Sequence, residues 1–260
     1  MFLTKRNRRS KLFLYAFYKN KRYKELLNPV EKIWRVIIFR IKIVMVSSGE
    51  KYMKLLFFGD SLTDMYRNFD KNVDMSTSYG TGFVFDIAAQ LMYKKPGYYQ
   101  IVNRGVGGNK VTDLFARYQE DVVDEKPDIL TILIGVNDVW HEIATKSGTS
   151  LDVFEKTYLK MVNDIKIKLP KTKIIIMEPF FTKGAATNGA LERFKDLYQY
   201  ASIVKKIANE TKCIFIPLQQ SFDELISNGG ETQILFDGIH TNPGGAHLIA
   251  SKWLDVFNSL

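Results

Sequence analysis

Cysteine, histidine and membrane-length apolar runs are the scarce features of this chain. The single cysteine, Cys213, excludes an intrachain disulfide, so packing must hold the fold and an oxidising compartment is not required. It sits in the apolar stretch Cys213-Ile214-Phe215-Ile216, which marks it as a buried structural thiol rather than a reactive one. Three histidines and one cysteine, with no zinc-ligand spacing among them, argue against a transition-metal enzyme. Internal repeats and low-complexity segments are also lacking. What is plentiful is core material: 46% of the 260 residues are hydrophobic, enough for one packed domain and an appendage.

An excess of positive charge is missing from most of the chain, although the total is +9. Residues 1–52 hold 14 Lys/Arg against 3 Asp/Glu, whereas residues 53–260 carry a net −2. The body therefore offers no basic face for a nucleic acid. In the N-terminal part, Lys5-Arg6-Asn7-Arg8-Arg9 is followed by an apolar run, Leu12 to Tyr18, that is too short for a signal peptide and has no cleavage site. Asn28-Pro29-Val30-Glu31 reads as a helix start, and Val30, Ile33, Trp34, Ile37, Ile38 and Ile41 share one helical face. Lys32, Arg35, Arg40 and Lys42 interrupt any spanning run, so this basic amphipathic helix would lie on an anionic membrane surface or pack on the body. A competing reading makes residues 1–52 translated leader, since Met53 directly precedes the first strand and the charge balance changes sign there. On that reading a chain starting at Met53 folds and is as active as the full chain, which purified truncated protein would test. The expected location is the cytoplasm, with residues 1–52 as the segment able to reach a membrane. Oligomeric state is left open.

From Lys54 onward, short apolar runs alternate with longer helical patterns. The runs predict strands at Lys54–Phe58, Tyr99–Asn103, Ile129–Ile134, Lys173–Met177 and Cys213–Ile216. Three- and four-residue apolar spacing predicts helices at Gly82–Tyr93, Val111–Val123, Leu151–Leu169, Leu191–Asn209 and Gly244–Phe257. Strands separated by such helices imply right-handed crossovers and an α/β fold whose parallel sheet is covered on both faces. Ligands then bind at the carboxyl ends of the strands. Ser61, the loop Gly105 to Asn109, and Asn137 each follow a strand and so reach the same sheet edge.

Phe57-Phe58-Gly59-Asp60-Ser61-Leu62 ends a buried strand on a serine. That hydroxyl is either a helix cap or a nucleophile, and a nucleophile needs a base and an oxyanion hole from elsewhere. In Phe236-Asp237-Gly238-Ile239-His240, a turn lets the Asp237 carboxylate orient the His240 imidazole while the other ring nitrogen faces outward. His247 is expected to pack in the following helix; His141, beside Trp140, reads as a surface residue or part of the pocket lining. The glycine-rich Asn103-Arg104-Gly105-Val106-Gly107-Gly108-Asn109-Lys110 lacks the Lys-Ser/Thr ending of a phosphate-binding loop and suits exposed backbone amides instead. Asn137, in Gly135-Val136-Asn137-Asp138, supplies a neutral donor just beyond a strand.

These four blocks, in this order over residues 54–260, resemble the SGNH or GDSL hydrolase family of esterases and lipases. The resemblance implies a three-layer α/β/α sandwich, flavodoxin-like, with a five-stranded parallel sheet of order 2-1-3-4-5. It further implies Ser61 as nucleophile, His240 as base and Asp237 as its orienting acid. The oxyanion donors would be the Ser61 and Gly108 backbone amides and the Asn137 side chain, with Gly107 the alternative to Gly108. The expected reaction is ester hydrolysis through an acyl-enzyme, without a cofactor. The third and fourth blocks look like the bacterial carbohydrate-esterase and small-ester branches, so an acylated carbohydrate or small ester is the expected substrate. A lysophospholipase or thioesterase of the same family, or a non-catalytic carbohydrate- or membrane-binding module, is the alternative. Loops over residues 66–78 and 180–188 are expected to set pocket depth.

Overall fold

Five short apolar stretches become strands: β1 Met53–Gly59, β2 Tyr99–Gly105, β3 Ile129–Leu133, β4 Lys173–Met177 and β5 Ile214–Ile216. All pair in parallel, in the order 2-1-3-4-5. The computed structural model describes residues 52–70 and 76–260. The extension expected over residues 1–52, including the helix starting near Pro29, lies outside these apart from Tyr52.

Ten helices are described: α1 Ser61–Asp64, α2 Phe83–Lys94, α3 Val111–Tyr118, α4 Val136–Thr145, α5 Leu151–Lys168, α6 Leu191–Phe194, α7 Leu197–Thr211, α8 Gln219–Ser227, α9 Glu231–Ile234 and α10 Pro243–Asn258. Successive strand residues point to opposite faces, and β1 shows what each face meets. The Phe57 ring packs against Phe83 of α2 at 5.8 Å and Trp253 of α10 at 5.3 Å. Phe58 points the other way, with the Arg117 guanidinium of α3 4.5 Å above its ring. Helices α2 and α10 therefore form one layer, and α3, α5 and α7, which pack side by side, form the other. Both faces of β1 and β3 are buried beyond the first residues of β1, which is why these strands read as nearly continuous apolar runs rather than alternating ones. Trp253, fully buried, also donates its indole N–H to Thr131 Oγ1 at 2.8 Å, satisfying the one polar side chain of β3.

Several elements depart from the sequence pattern. The single helix expected over Leu191–Asn209 is broken between α6 and α7 at Lys195 and Asp196. Phe194 turns inward against Trp140 and Phe181, while Arg193 reaches the carbonyls of Glu142 and Ile143 on α4, so α6 is held by α4 rather than by α7. The helix expected over Val111–Val123 widens to a π-turn from Gln119, with the Asp124 N–H bonded to the Gln119 carbonyl at 3.0 Å. Helices α4 and α8 were not anticipated. Cys213 falls just before β5 and is half-buried, not buried outright, although burial still pushes its thiol pKa up. His247 does not pack in the interior: it is exposed on α10, with Nδ1 2.7 Å from Asp86 Oδ2 on α2. His141 is half-buried on α4.

Candidate active site

The carboxyl end of β1 is crowded enough that glycine is required there. A Cβ on Gly59 would stand 2.4 Å from both the Leu133 carbonyl oxygen and Thr63 Oγ1. One on Gly105, at the end of β2, would stand 2.2 Å from the Asp64 backbone nitrogen. Asn103 locks the same junction, donating to the Thr63 carbonyl at 2.6 Å and the Tyr79 carbonyl at 3.0 Å while accepting from Gly105 N at 2.8 Å. The turn carrying Ser61 is thus pressed onto the β2 loop. Because the obstruction at Gly105 is backbone, Gly105→Ala is expected to destabilise the protein by about 1–3 kcal/mol, the usual cost of overpacking, read as a lower urea midpoint.

Asp60 caps α1 through Oδ1, which accepts from Leu62 N at 3.0 Å, and this places Ser61 in the first turn with its hydroxyl free of capping work. Ser61 Oγ lies 2.8 Å from His240 Nε2, and His240 Nδ1 lies 2.7 Å from Asp237 Oδ2. The other oxygen of Asp237 accepts from the backbone N–H groups of Ile239 at 2.9 Å and His240 at 2.7 Å, which closes the turn that carries the ring. The carboxylate fixes the proton on Nδ1, leaving Nε2 as an acceptor toward the serine. Residues 180–188 brace this turn: Thr182 N donates to the Gly238 carbonyl at 2.8 Å and Ala186 N to the Asp237 carbonyl at 2.9 Å. Gly238 itself sits at φ 99°.

The electrostatics follow from burial and pairing. Burial pushes the Asp237 pKa up, but hydrogen bonds from the His240 ring and backbone and from Ile239 outweigh it and hold the carboxyl below its ordinary range. For His240 burial works against the cation, yet the hydrogen bond and charge of Asp237, with Asp60 adding to them, raise its pKa overall. Asp60 is fully buried and is pushed up to about 7 by desolvation; its Oδ2 has no hydrogen-bond partner among the described residues. Asp138, also buried, is pushed up to about 7 for the same first reason.

Asn137 stands in the first turn of α4, not in a loop beyond β3 as expected. Gly135, at φ 135°, makes the abrupt turn from strand to helix. Asn137 is 5% exposed, and its Nδ2 donates one hydrogen to the Asn109 carbonyl at 3.0 Å, which leaves the second for a ligand. The choice between neighbouring glycine amides also becomes visible. Gly107 N is engaged by Asp64 Oδ2 at 3.2 Å, whereas the N–H groups of Gly108 and Ser61 have no acceptor among the described residues. Two rings border the imidazole: Phe236, stacked at 5.5 Å, and Trp140, tilted at 6.0 Å.

All the residues singled out from the sequence for chemistry therefore lie at one sheet edge, with Gly107 separated from the free donors by its bond to Asp64. Asp60, Arg117, Asn109 and Phe236 were missed. Asp60, Phe236 and Asn109 carry a local signal, by adjacency to Ser61, Asp237 and Gly108; Arg117 acts through contacts that no spacing encodes. The geometry can transfer a proton from a serine to an imidazole beside three unengaged N–H donors, which is the apparatus of acyl transfer. Among the described residues, no group of three His, Cys, Asp or Glu could hold a metal ion, and no helix is long and apolar enough to cross a membrane.

Comparison with known proteins agrees with this geometry. The model of the GDSL-like lipase/acylhydrolase family matches residues 57–248. An acetylxylan esterase of Geobacillus stearothermophilus is 35% identical over 216 residues, covering 80% of this chain and 94% of the relative. The crystal structure of that organism's acetylxylan esterase superposes with a TM-score of 0.70 at 34% identity, over 79% of this chain and 94% of the other. A structure from Parabacteroides merdae assigned to the GDSL-like lipases gives a TM-score of 0.72 at 33% identity, over 79% and 95% of the two chains. Alanine variants of the Geobacillus esterase at a serine, an aspartate and a histidine are described as catalytic mutants. Its serine and histidine are 179 positions apart, the interval that separates Ser61 from His240.

Proposed function

Because the chain belongs to the GDSL-like lipase/acylhydrolase family and is an ester-hydrolysing serine hydrolase, we propose that it removes short acyl groups, acetyl above all, from acylated carbohydrates. We take residues 53–260 as the catalytic domain. The observation that carries the reading of the site is the continuous relay from Ser61 Oγ through His240 to Asp237, at 2.8 and 2.7 Å. In this reading His240 Nε2 takes the Ser61 proton as Oγ attacks the ester carbonyl carbon. The resulting oxyanion is held by the Ser61 and Gly108 amides and the free Asn137 hydrogen. His240 then protonates the sugar oxygen, the C–O bond breaks, and water repeats the sequence on the acyl-serine, releasing the acid.

The carbohydrate half of the proposal draws on the acetylxylan esterase relatives and on the aromatic border of the imidazole. Phe236 is 46% exposed, so its ring is available to an incoming substrate while its other face shields His240. Neither a long-chain lipid substrate nor a purely binding role is favoured by these relatives. The decisive experiment compares hydrolysis of acetyl and octanoyl p-nitrophenyl esters and acetate release from acetylated xylan. Fast acetate release with a strong preference for the acetyl ester is expected; faster turnover of the octanoyl ester with no acetate from xylan would refute the carbohydrate reading. Asn137→Ala is expected to lower kcat by roughly 10²- to 10³-fold with little change in KM, since its free hydrogen meets charge that develops only in the transition state.

A further inference from the structure

Arg117 is placed by α3 where two segments far apart in the sequence meet, the end of β1 and the end of β2 with its glycine loop. Its Nε donates to Asn109 Oδ1 at 2.8 Å, Nη1 to the Arg104 carbonyl at 2.9 Å, and Nη2 to the Gly59 carbonyl at 3.0 Å. Nη1 also meets Asp121 Oδ2, one turn along, at 2.7 Å, and the guanidinium plane covers the Phe58 ring. No other described side chain hydrogen-bonds both the end of β1 and the glycine loop after β2. Asn109 matters because it joins the two donors that Ser61 does not supply. It follows Gly108 directly, and its carbonyl accepts the Asn137 hydrogen at 3.0 Å. Gly59, two residues before Ser61, accepts from Val106 N at 3.1 Å as well as from Arg117.

We propose that Arg117 is a positioning residue for catalysis: its planar fork fixes Asn109 against Gly59, and so sets the Gly108 amide and the Asn137 side chain at the correct distance from the Ser61 oxygen. This rests on the reading of Gly108 and Asn137 as oxyanion donors. The guanidinium is suited to the task because three acceptors on two segments must be bonded from one rigid plane, a geometry that a lysine ammonium on a flexible stem cannot reproduce. A shift of a fraction of an ångström in the donors weakens transition-state stabilisation far more than substrate binding.

The test uses the full chain carrying Arg117→Lys, Arg117→Met or Asn137→Ala, and the combination of Arg117→Met with Asn137→Ala, assayed for kcat and KM on a p-nitrophenyl acetate substrate. Both Arg117 variants are expected to lower kcat by roughly 10- to 100-fold with KM within about twofold, part of what losing one oxyanion donor costs. In the Asn137→Ala background, the Arg117→Met loss should shrink to a small residual factor, because one of its two targets is already gone. Affinity for a boronate that forms a tetrahedral serine adduct should fall in parallel with kcat. Wild-type kcat in Arg117→Lys would overturn the proposal by showing that charge alone suffices. An Arg117→Met loss of equal size in both backgrounds would also overturn it, as would a drop in activity that merely follows a lower folded fraction by circular dichroism. If Asn137→Ala alone retains wild-type kcat, it is the oxyanion reading that fails, a result distinguishable from full additivity with a slow Asn137→Ala enzyme.

Discussion

Ser61→Ala is expected to reduce ester hydrolysis by roughly 10⁶-fold, the scale on which loss of the nucleophile acts in a serine hydrolase. The fold should barely respond. Asp60, not Ser61, caps α1, so removing the hydroxyl leaves the cap intact and forfeits one hydrogen bond to His240, worth about 1 kcal/mol. Turnover of a p-nitrophenyl acetate substrate beside a thermal melt separates the two effects. A variant that melts like the wild type but has no measurable turnover is the expected outcome; turnover near the wild-type level would place the nucleophile elsewhere.

Asp237→Asn should lower kcat by roughly 10⁴-fold, the cost of neutralising the carboxylate that orients a catalytic histidine. An amide at this position can donate to Nδ1, which forces the proton onto Nε2 and removes the acceptor that Ser61 needs. The pH profile should move as well. Only neutral His240 can take the serine proton, so the rate falls as pH drops through the His240 pKa. In the wild type that pKa is raised against burial by the Asp237 hydrogen bond and charge, so the acid limb should lie above the ordinary imidazole value of 6.5. Without the charge, burial acts with only Asp60 opposing it, and the limb should move to lower pH even as the plateau collapses. A profile of kcat/KM against pH for both proteins checks this, and an acid limb that does not move would mean that Asp237 does not set the His240 pKa.

Burial complicates the same site in a way that the motifs hide. The Ser61 hydroxyl reads from the sequence as a helix cap or a nucleophile; the capping falls to Asp60 instead, and Ser61 faces His240. Yet the cap is a fully buried carboxyl with one oxygen unpartnered, pushed up to about 7. Asp60 lies within electrostatic reach of His240, so its ionisation state bears on the base even though it touches no reacting atom. Nothing in the motif marks Asp60 as buried; that the turn is dry is a property of the packed sheet edge.

By itself the sequence determined where the five strands and most of the long helices lie and that Asp237 and His240 share a turn, whereas the strand order and the role of Ser61 came as implications of the family resemblance. What it determined depends on local pattern: short apolar runs for strands, three-and-four spacing for the long helices, and an Asp and a His three residues apart in one turn. Tertiary structure shows why the Gly108 amide, the one favoured by the sequence, is left free: Gly107 gives its donor to Asp64, a residue 43 positions away. It also decided that α6 and α7 part company, since Phe194 and Arg193 find partners on α4, and that Asn137 enters a helix rather than a loop. Arg117 belongs to the same class, being an ordinary basic residue of an amphipathic helix until the fold brings Gly59, Arg104 and Asn109 within reach of its three nitrogens. The physical reason is common to all of them: periodicity encodes which face of an element is buried, whereas contacts between residues distant in the sequence form only once the faces have met.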